Sequence, residues 1–247
     1  MSYYKSQLLT WNNHKTIKGE KVKDENGLPY KTYILYMSPF NQNSKGINLC
    51  PHASSGCSSA CLFKSGFGGL YTKVQQGRIN KTEWYLANRN EFMLALDKEI
   101  SAAIKCHKDK AIVTFRLNGT SDIRWEKIKV REDKNIFELY PDVQFYDYTK
   151  NPLRFEIELP LNYHLTFSRS EINHDIAMDL LGRGFNVGMV FNDVPEVYNG
   201  YRVVNGDESD LRFKDGKGVI VGLKYKNNTG DGGKVANVFA RESGFVI

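Results

Sequence analysis

Three of the chain's four cysteines lie within one stretch of twelve residues, Cys50-Pro-His-Ala-Ser-Ser-Gly-Cys57-Ser-Ser-Ala-Cys61. The spacing is C-x6-C-x3-C, and the intervening residues are mostly small, so the loop can bring three thiols together with little backbone strain. Directly upstream, Thr32-Tyr-Ile-Leu-Tyr-Met37 is rich in β-branched and aromatic residues and predicts the first strand. We therefore interpret the rest of the chain as a scaffold around a cysteine loop.

Composition indicates a globular protein. The 247 residues are 41% hydrophobic and 13% aromatic, which is enough for a core, and single α/β barrels commonly have this length. The net charge of +6 is compatible with binding anions, nucleotides or nucleic acid without selecting one of them.

We expect a cytoplasmic protein without membrane segments. No apolar run approaches the roughly 18–20 residues of a membrane span. The N-terminal residues Met-Ser-Tyr-Tyr-Lys-Ser-Gln lack the apolar centre of a signal peptide. In a reducing cytosol, clustered cysteines favour metal or redox chemistry over disulfides.

The pattern along the chain predicts a polar N-terminal arm followed by one domain. Residues 1–31 are polar and Lys-rich, and we assign them to the arm. Apolar residues recur at helical spacing from Leu70 to about Lys105, and we expect two helices there, the second beginning near residue 81 with Thr82 as its cap. Another amphipathic helix is predicted over 173–183, closed by Gly184.

Short apolar strands alternate with helical or loop connections, which is typical of parallel β/α units. Further strands are predicted at Ala111–Leu117, Val143–Tyr146, Tyr163–Phe167, Phe185–Phe191, Tyr201–Val204 and Val219–Lys224. We see no change of composition that would mark a linker. The predicted fold is α/β, with residues 32–247 forming a single parallel β/α barrel, a partial or distorted TIM-like one, behind the N-terminal arm.

Nearly every predicted strand ends in polar residues, and in a parallel sheet the loops after the strands form the active-site face. Turn chemistry alone also favours Asn, Asp and Ser at such places. It explains the arginines less well, because Arg116 lies within an apolar strand, where an unpaired guanidinium is costly to bury. Arg116 and Arg169 are therefore our candidates for fixing a carboxylate or a phosphate.

The clustered cysteines are compatible with more than one kind of metal centre. A tetrahedral zinc site needs four ligands, so His52 or the distant Cys106 would have to join the three clustered cysteines. A [4Fe–4S] cluster held by three cysteines instead leaves one iron open to a small molecule. Buried unpaired thiols are a third interpretation, although a Ser-rich loop offers them little core. The Gly66-Phe-Gly-Gly69 segment would let the backbone pass close to a cofactor.

A three-cysteine loop after the first strand of a β/α barrel resembles the radical S-adenosylmethionine enzymes. In that family three thiolates hold a [4Fe–4S] cluster whose open iron binds S-adenosylmethionine. The family's usual loop is C-x3-C-x2-C with an aromatic residue before the last cysteine. Here the spacing is C-x6-C-x3-C, and Ala60 precedes Cys61.

A closer likeness covers most of the chain. The motifs are Cys-Pro-x-Ala-Ser-x-Gly-Cys at 50–57, Arg-Leu-Asn-Gly-Thr-Ser-Asp at 116–122, Asn-Gly-Asp at 205–207 with Asp-Leu-Arg at 210–212, Ile-Val-Gly-Leu at 220–223 and Gly-Phe-Val at 244–246. Together they resemble the phage "gene product eighty-eight" family. The resemblance implies a phage origin, hence the host cytoplasm, and a shared barrel-like fold, but no particular reaction.

The radical-enzyme resemblance assigns roles by position. Cys50, Cys57 and Cys61 would bind the cluster. The amino-acid part or the ribose of S-adenosylmethionine would be bound by Arg116, Asn118, Ser121 and Asp122. The substrate side would be lined by Ser168, Arg169, Asn192 and Asp193.

Two further functions stay open beside an iron–sulfur enzyme acting on a nucleotide, nucleic acid or small metabolite. One is a zinc-stabilised nucleic-acid-binding protein, which the basic balance favours. The other is a phage accessory protein that binds a host partner and keeps its metal for structure. The sequence predicts neither the substrate nor the oligomeric state.

Overall fold

A computed structural model of the protein describes residues 7–12, 16–40, 42–61, 63, 71–228 and 232–247. Within these ranges the main sheet is built from β1 Leu9–Thr10, β2 Tyr30–Leu35, β3 Ile112–Arg116, β6 Gln144–Thr149, β7 Tyr163–Ser168, β8 Val187–Phe191, β9 Val197–Tyr198, β10 Tyr201–Asn205 and β11 Ile220–Lys224. Its strand order is β1-β2-β3-β6-β7-β8-β11-β10-β9. A separate small ribbon pairs β4 Lys129–Arg131 with β5 Lys134–Asn135.

The seven strands that the sequence predicts are all present, and they pair with one another in parallel. The register places Phe145 opposite Tyr163 and Val187 opposite Ile220. From β2 to β8 the strands of the main sheet neighbour each other in chain order.

The prediction of a barrel is wrong, because the sheet is open. It ends on β1 at one side and on β9 at the other, and each of these two-residue strands runs antiparallel to its single neighbour in the sheet. The chain order is also broken at the far side, where β11 lies between β8 and β10. A closed barrel would require the two outer strands to pair with each other, and in the described residues they do not.

The helices of the described chain are α1 Thr16–Gly19, α2 Ser55–Ser59, α3 Thr72–Ala87, α4 Arg89–Cys106, α5 Ile136–Leu139, α6 His174–Gly182 and α7 Gly233–Glu242. Short 3-10 turns occur at Trp125–Lys127, Pro152–Phe155 and Arg212–Lys214. None of these described helices combines the length and the apolar composition that crossing a membrane would need.

The hydrophobic core lies between one face of the sheet and the helices. Phe92, Leu96 and Ile100 of α4 are fully buried in one cluster with Phe115 of β3 and Phe145 of β6. The last two rings stack with their centroids 5.4 Å apart. Burying an aromatic or branched side chain of this size contributes roughly 1.5–3 kcal/mol, so this layer is a main source of the fold's stability.

The boundary between the first two long helices differs from its prediction. We expected the second helix to begin near residue 81, but α3 continues through Gly77 and ends at Ala87. Thr82 is not a cap; its hydroxyl donates to the Arg78 carbonyl at 3.1 Å and accepts from Ser38 N at 2.8 Å. The burial of Trp84 on α3 offsets the cost of a glycine in a helix interior, which is about 1 kcal/mol.

The opposite face of the sheet is more polar. Thr32 bonds through its hydroxyl to the hydroxyls of Thr114 at 2.9 Å and of Tyr146 at 3.0 Å. This face is covered by the connection between β10 and β11, whose Leu211 packs against Tyr146 and Tyr30. That connection also forms part of the candidate site.

The N-terminal segment is held by the domain where it is described. Leu8 and Leu9 are buried, and their backbone N–H groups donate to the two carboxylate oxygens of Glu99 at 2.7 and 2.8 Å. Lys81 donates to the Leu8 carbonyl at 2.7 Å. Residues 1–6 and 13–15 of the predicted arm lie outside the described residues, and the division at residue 31 stays a prediction.

Candidate functional site

A cavity of about 270 Å³ lies at the carboxyl ends of the parallel strands. Cys50, Cys57 and Cys61 all line it. The rest of its wall comes largely from segments that follow successive strands: residues 118–122 after β3, 148–150 at the end of β6, Ser168 of β7, 206–210 after β10 and 223–226 at the end of β11. This is the edge at which open parallel sheets bind their ligands.

The cysteine loop is ordered by its own turn and by one distant carboxylate. The Ala53 N–H donates to the Cys50 carbonyl at 3.0 Å, and Ser54 caps α2 by accepting from Cys57 N at 3.2 Å. Glu171, which follows β7, accepts from Gly56 N and from the Ser54 hydroxyl, both at 2.7 Å. A carboxylate at the start of a helix satisfies free N–H groups there. Glu171 therefore holds Cys57 in place through α2.

The outer side of α2 packs against the C-terminal part of the chain. A Cβ on Gly56 would lie 2.6 Å from the Phe245 Cβ and 2.6 Å from the Ser243 hydroxyl, so only glycine fits. The Asn228 side-chain amide donates to the Ser59 carbonyl. The position of the cysteine helix thus depends on residues almost two hundred positions later.

Cys50 is fixed by contacts of both its thiol and its backbone N–H. Its Sγ lies 3.5 Å from the Thr120 carbonyl, and its N–H donates to Asn48 Oδ1 at 2.7 Å. Burial raises the pKa of Cys50 above its ordinary value, and the charges of Cys61, Asp122 and Cys57 raise it further. The three thiols therefore act on one another electrostatically, and a thiolate at Cys50 requires positive charge nearby.

Lys150 supplies positive charge beside the cysteines. Its ammonium lowers the pKa of Cys50, donates to the Ser168 hydroxyl at 2.5 Å and lies 5.8 Å from the centre of the Phe245 ring. Within the described residues it forms no ion pair with a carboxylate.

Arg78 of α3 is a second cation near the loop. Its guanidinium lies over the rings of Tyr36, at 4.9 Å, and Phe63, at 5.5 Å. Burial lowers the pKa of Arg78, whereas Tyr36 and Cys61 raise it. Both cations favour ionised thiols, because nearby positive charge stabilises a thiolate.

Asn118 and Ser121 line the cavity, but their side chains serve the loop that contains them. Asn118 Oδ1 accepts from the Ser121 hydroxyl at 2.9 Å, from Ile123 N at 2.9 Å and from Trp125 Nε1 at 3.0 Å. Its amide group donates to the Ile123 carbonyl at 2.9 Å. This network shapes the turn that carries Thr120 to Cys50.

Asp122 is also largely satisfied within the protein. Its carboxylate accepts from the Thr149 hydroxyl at 2.7 Å and from Lys150 N at 2.9 Å, and it lies 3.3 Å from the buried Arg154 guanidinium. It therefore joins the end of β3 to the end of β6 at the cavity wall.

Arg116 has a carboxylate partner. Its guanidinium bonds to Asp210 at 2.6 Å and lies over the Tyr148 ring, 5.3 Å from the ring centre. Burial lowers the pKa of Arg116, but Asp210 and other neighbouring groups together raise it by more, so the pKa lies above its ordinary value and the guanidinium stays charged. The ion pair ties the connection between β10 and β11 across the polar face to β3.

Three predicted site residues are not part of the cavity wall. Arg169 donates to the carbonyls of Gly244, at 2.5 Å, and Phe245, at 3.1 Å, and so holds the C-terminal segment. Asn192 accepts from Arg241 at 3.0 Å, and Asp193 pairs with Lys224 at 3.1 Å; both are exposed. Ser168 lines the same cavity as the cysteines, whereas Arg169, Asn192 and Asp193 lie outside it.

The two candidate fourth ligands do not join the three thiols. Cys106 is exposed at the end of α4, which leads into the amino end of β3, whereas the cavity lies at the carboxyl ends. His52 is exposed and does not line the cavity. In the part of the chain that the structure describes, no three His, Cys, Asp or Glu side chains are grouped as a single metal ion would require. Gly66–Gly69 lies outside the described residues.

The predicted site residues include none of the four lysines of the wall, Lys18, Lys150, Lys224 and Lys226. Lys150 had a signal, since it directly follows the predicted strand end Asp147-Tyr-Thr. Nothing in the sequence indicates that Lys18 lines the cavity, because Lys18 belongs to the polar N-terminal segment. Its place in the wall depends on α1 packing against β2.

Comparison with known families gives one match. The model of the family described as Gene product 88 matches residues 7–246, which is nearly the whole chain. No curated protein and no solved structure matches the sequence.

Proposed function

The chain belongs to the Gene product 88 family, and we propose that it is an iron–sulfur protein of radical S-adenosylmethionine-like type. Cys50, Cys57 and Cys61 would hold a [4Fe–4S] cluster, and the substrate would be a nucleotide, nucleic acid or small metabolite in the host cytoplasm. The supporting observation is that all three clustered thiols line one cavity, together with Lys150.

The donor set fits such a cluster. Thiolates are the usual ligands of iron–sulfur centres, and none of the four cysteines, all of which lie in the described ranges, forms a disulfide. Lys150 and Arg78 offset the negative charge of ionised thiols. A single zinc ion needs its donors within about 2.0–2.3 Å of one point. A cluster presents a separate iron to each thiolate, so its ligands need to converge less closely.

A cluster on three cysteines has one open iron, which can bind the amino and carboxylate groups of S-adenosylmethionine. The protein's own groups would orient that ligand. Lys150 and Ser168 present an ammonium and a hydroxyl at the wall beside Cys50, suited to a carboxylate. Asn118 and Ser121 shape the loop that faces the cysteines, and Asp122 and Arg116 hold neighbouring strand ends together.

The test is the iron, sulfide and zinc content of protein purified without oxygen. Wild type is compared with Cys57→Ser and with a matched control, Cys106→Ser, whose thiol is exposed outside the cavity. We expect about four irons and four sulfides per chain in wild type and control, and their loss in Cys57→Ser. One zinc without sulfide in wild type would contradict the proposal.

A second candidate is a zinc-stabilised protein that binds nucleic acid or a host partner. The observation in its favour is the positive net charge, with the largely exposed Lys224 and Lys226 at the cavity wall. It predicts colourless protein with bound zinc and a DNA affinity that falls steeply with salt.

A further inference from the structure

The cavity wall contains a second charged group besides Lys150, formed by Lys18, Asp207 and Lys226. Lys18 comes from α1, where the buried Thr16 and Gly19 pack inward and leave Lys18 half-buried. Its ammonium donates to the Asp207 backbone carbonyl at 2.5 Å. The Asp207 carboxylate bonds to Lys226 at 2.7 Å and accepts from Lys224 N at 2.9 Å. We call these three residues the Lys18 corner.

The acidic residues of the cavity wall already have partners. Asp210 is paired with Arg116 at 2.6 Å, and Asp207 with Lys226. Asp122 lies 3.3 Å from Arg154. No carboxylate of the wall is therefore left to balance a further cation.

Two cations of the wall, Lys18 and Lys150, form no direct ion pair with a carboxylate among the described residues. Lys150 lies beside Cys50, and its positive charge is balanced when the thiols are ionised. Lys18 donates to the Asp207 backbone carbonyl, and it shares the field of the Asp207 carboxylate with Lys226, so the Lys18 corner has one positive charge in excess. An ammonium partly removed from water is stabilised by an anion.

We propose that the Lys18 corner binds a phosphate group of the substrate, so that the ligand of the cavity is a phosphorylated small molecule of nucleotide size. The inference rests on the proposed function for the ligand's contact with the cysteine side. The positive charge of the Lys18 corner is observed independently of the proposed function.

The size and the lining of the cavity favour a small molecule over a polymer. Ligand pockets usually measure about 300–1,000 Å³, and this cavity, at about 270 Å³, lies just below that range. Tyr148, Leu223 and Phe245 add aromatic and apolar surface to the wall, against which a planar ring can pack. A nucleoside monophosphate offers both a ring and a dianionic phosphate.

The test compares the binding of AMP and adenosine by calorimetry at low salt. We expect wild type to bind AMP at least about tenfold more tightly, the equivalent of 1.4 kcal/mol. Lys18→Gln should remove this preference and Lys18→Arg should keep most of it. Lys21→Gln is the matched control, because Lys21 is exposed one turn further along and lies outside the cavity wall. It should behave as wild type.

Equal affinity of wild type for AMP and adenosine, or no binding of either at millimolar concentration, would overturn the inference. So would a preference for AMP that survives Lys18→Gln. The measurement is repeated on Cys57→Ser: a preference that persists there without iron supports the Lys18 corner independently of the metal. If wild type holds iron and sulfide but shows no phosphate preference, the inference fails while the proposed function stands.

Discussion

Asp147 is a fully buried carboxylate directly behind the cavity wall. It accepts from Asn118 N at 2.9 Å and from the Tyr163 hydroxyl at 3.1 Å, and so holds the start of the loop that faces the cysteines. Burial raises the pKa of Asp147 to about 7, although Arg116 and hydrogen bonds oppose the shift. The carboxyl therefore titrates near neutrality.

This shift predicts a pH dependence of stability. The folded protein keeps the Asp147 proton up to about pH 7, whereas the unfolded chain loses it near the ordinary value of 3.8. Between these two pH values the folded state binds more protons, so the contribution of Asp147 to the free energy of unfolding falls as pH rises. Asp147→Asn should reduce the stability difference between pH 5 and pH 8 by more than about 1 kcal/mol, since one pKa unit corresponds to about 1.4 kcal/mol.

Urea unfolding at the two pH values measures the effect. The control is Asp142→Asn, because Asp142 is exposed at the start of the same segment. An unchanged pH dependence in Asp147→Asn would show that the buried carboxyl does not titrate in this range.

At the residue scale, the bonding partner of a side chain could be predicted from the sequence only where the two residues lie close together in the chain. Arg116 in an apolar strand required a partner, and that much follows from the cost of burying a guanidinium. The partner, Asp210, is 94 residues away in the chain, and nothing local indicates it. The side chain of Asn118 bonds only to residues within seven positions in the chain, which fits the turn-chemistry alternative.

At the scale of elements, α2 offers a test of how the cysteine loop is positioned. Gly56→Ala would place a methyl group 2.6 Å from Phe245 and Ser243, and overpacking of this kind costs typically 1–3 kcal/mol. The matched control is Gly77→Ala in the interior of α3, where an added Cβ meets nothing within 4 Å. That change should stabilise the protein by about 0.5–1 kcal/mol.

Urea unfolding and metal content together measure the outcome. We expect Gly56→Ala to lose both stability and bound iron, because the helix that carries Cys57 must shift. Wild-type iron content in a destabilised Gly56→Ala protein would mean that the position of α2 does not control the thiols.

The existence of the elements was easier to predict than their limits. The break between α3 and α4 falls at Asn88, although Gly77 and Asn80 are the stronger local signals. Packing decides here: the edge-to-face contact of Trp84 with Phe92, at 5.4 Å, places the corner between the two helices after Ala87. Such a contact between two helices cannot be derived from propensity alone.

At the scale of the whole molecule, one core cluster extends from Leu8 to Ile220. We therefore expect a single unfolding transition in urea, with the same midpoint by tryptophan fluorescence and by far-ultraviolet circular dichroism. Trp84 and Trp125 are both buried in this cluster and report on it. Two separate midpoints would contradict a single cooperative unit.

The parallel sheet was predictable, but its openness was not. Alternation of apolar strands with crossover segments predicts parallel neighbours in chain order, and this is confirmed from β2 to β8. Closure depends on the far side of the sheet. There β11 enters between β8 and β10, and the two-residue β9 ends the sheet. These pairings follow from long-range contacts that leave no periodicity in the sequence.

The place of β11 also has a consequence for the order of assembly during synthesis. Strands β2 to β8 leave the ribosome in the order in which they pair, so each can add to the one before it. The β9–β10 pair cannot join the sheet until Ile220–Lys224 has emerged, because β11 separates it from β8. Lys224, Lys226 and Phe245 of the cavity wall become available only with that strand or after it. A ligand that needs the whole wall can therefore bind only after nearly all of the chain has been synthesised.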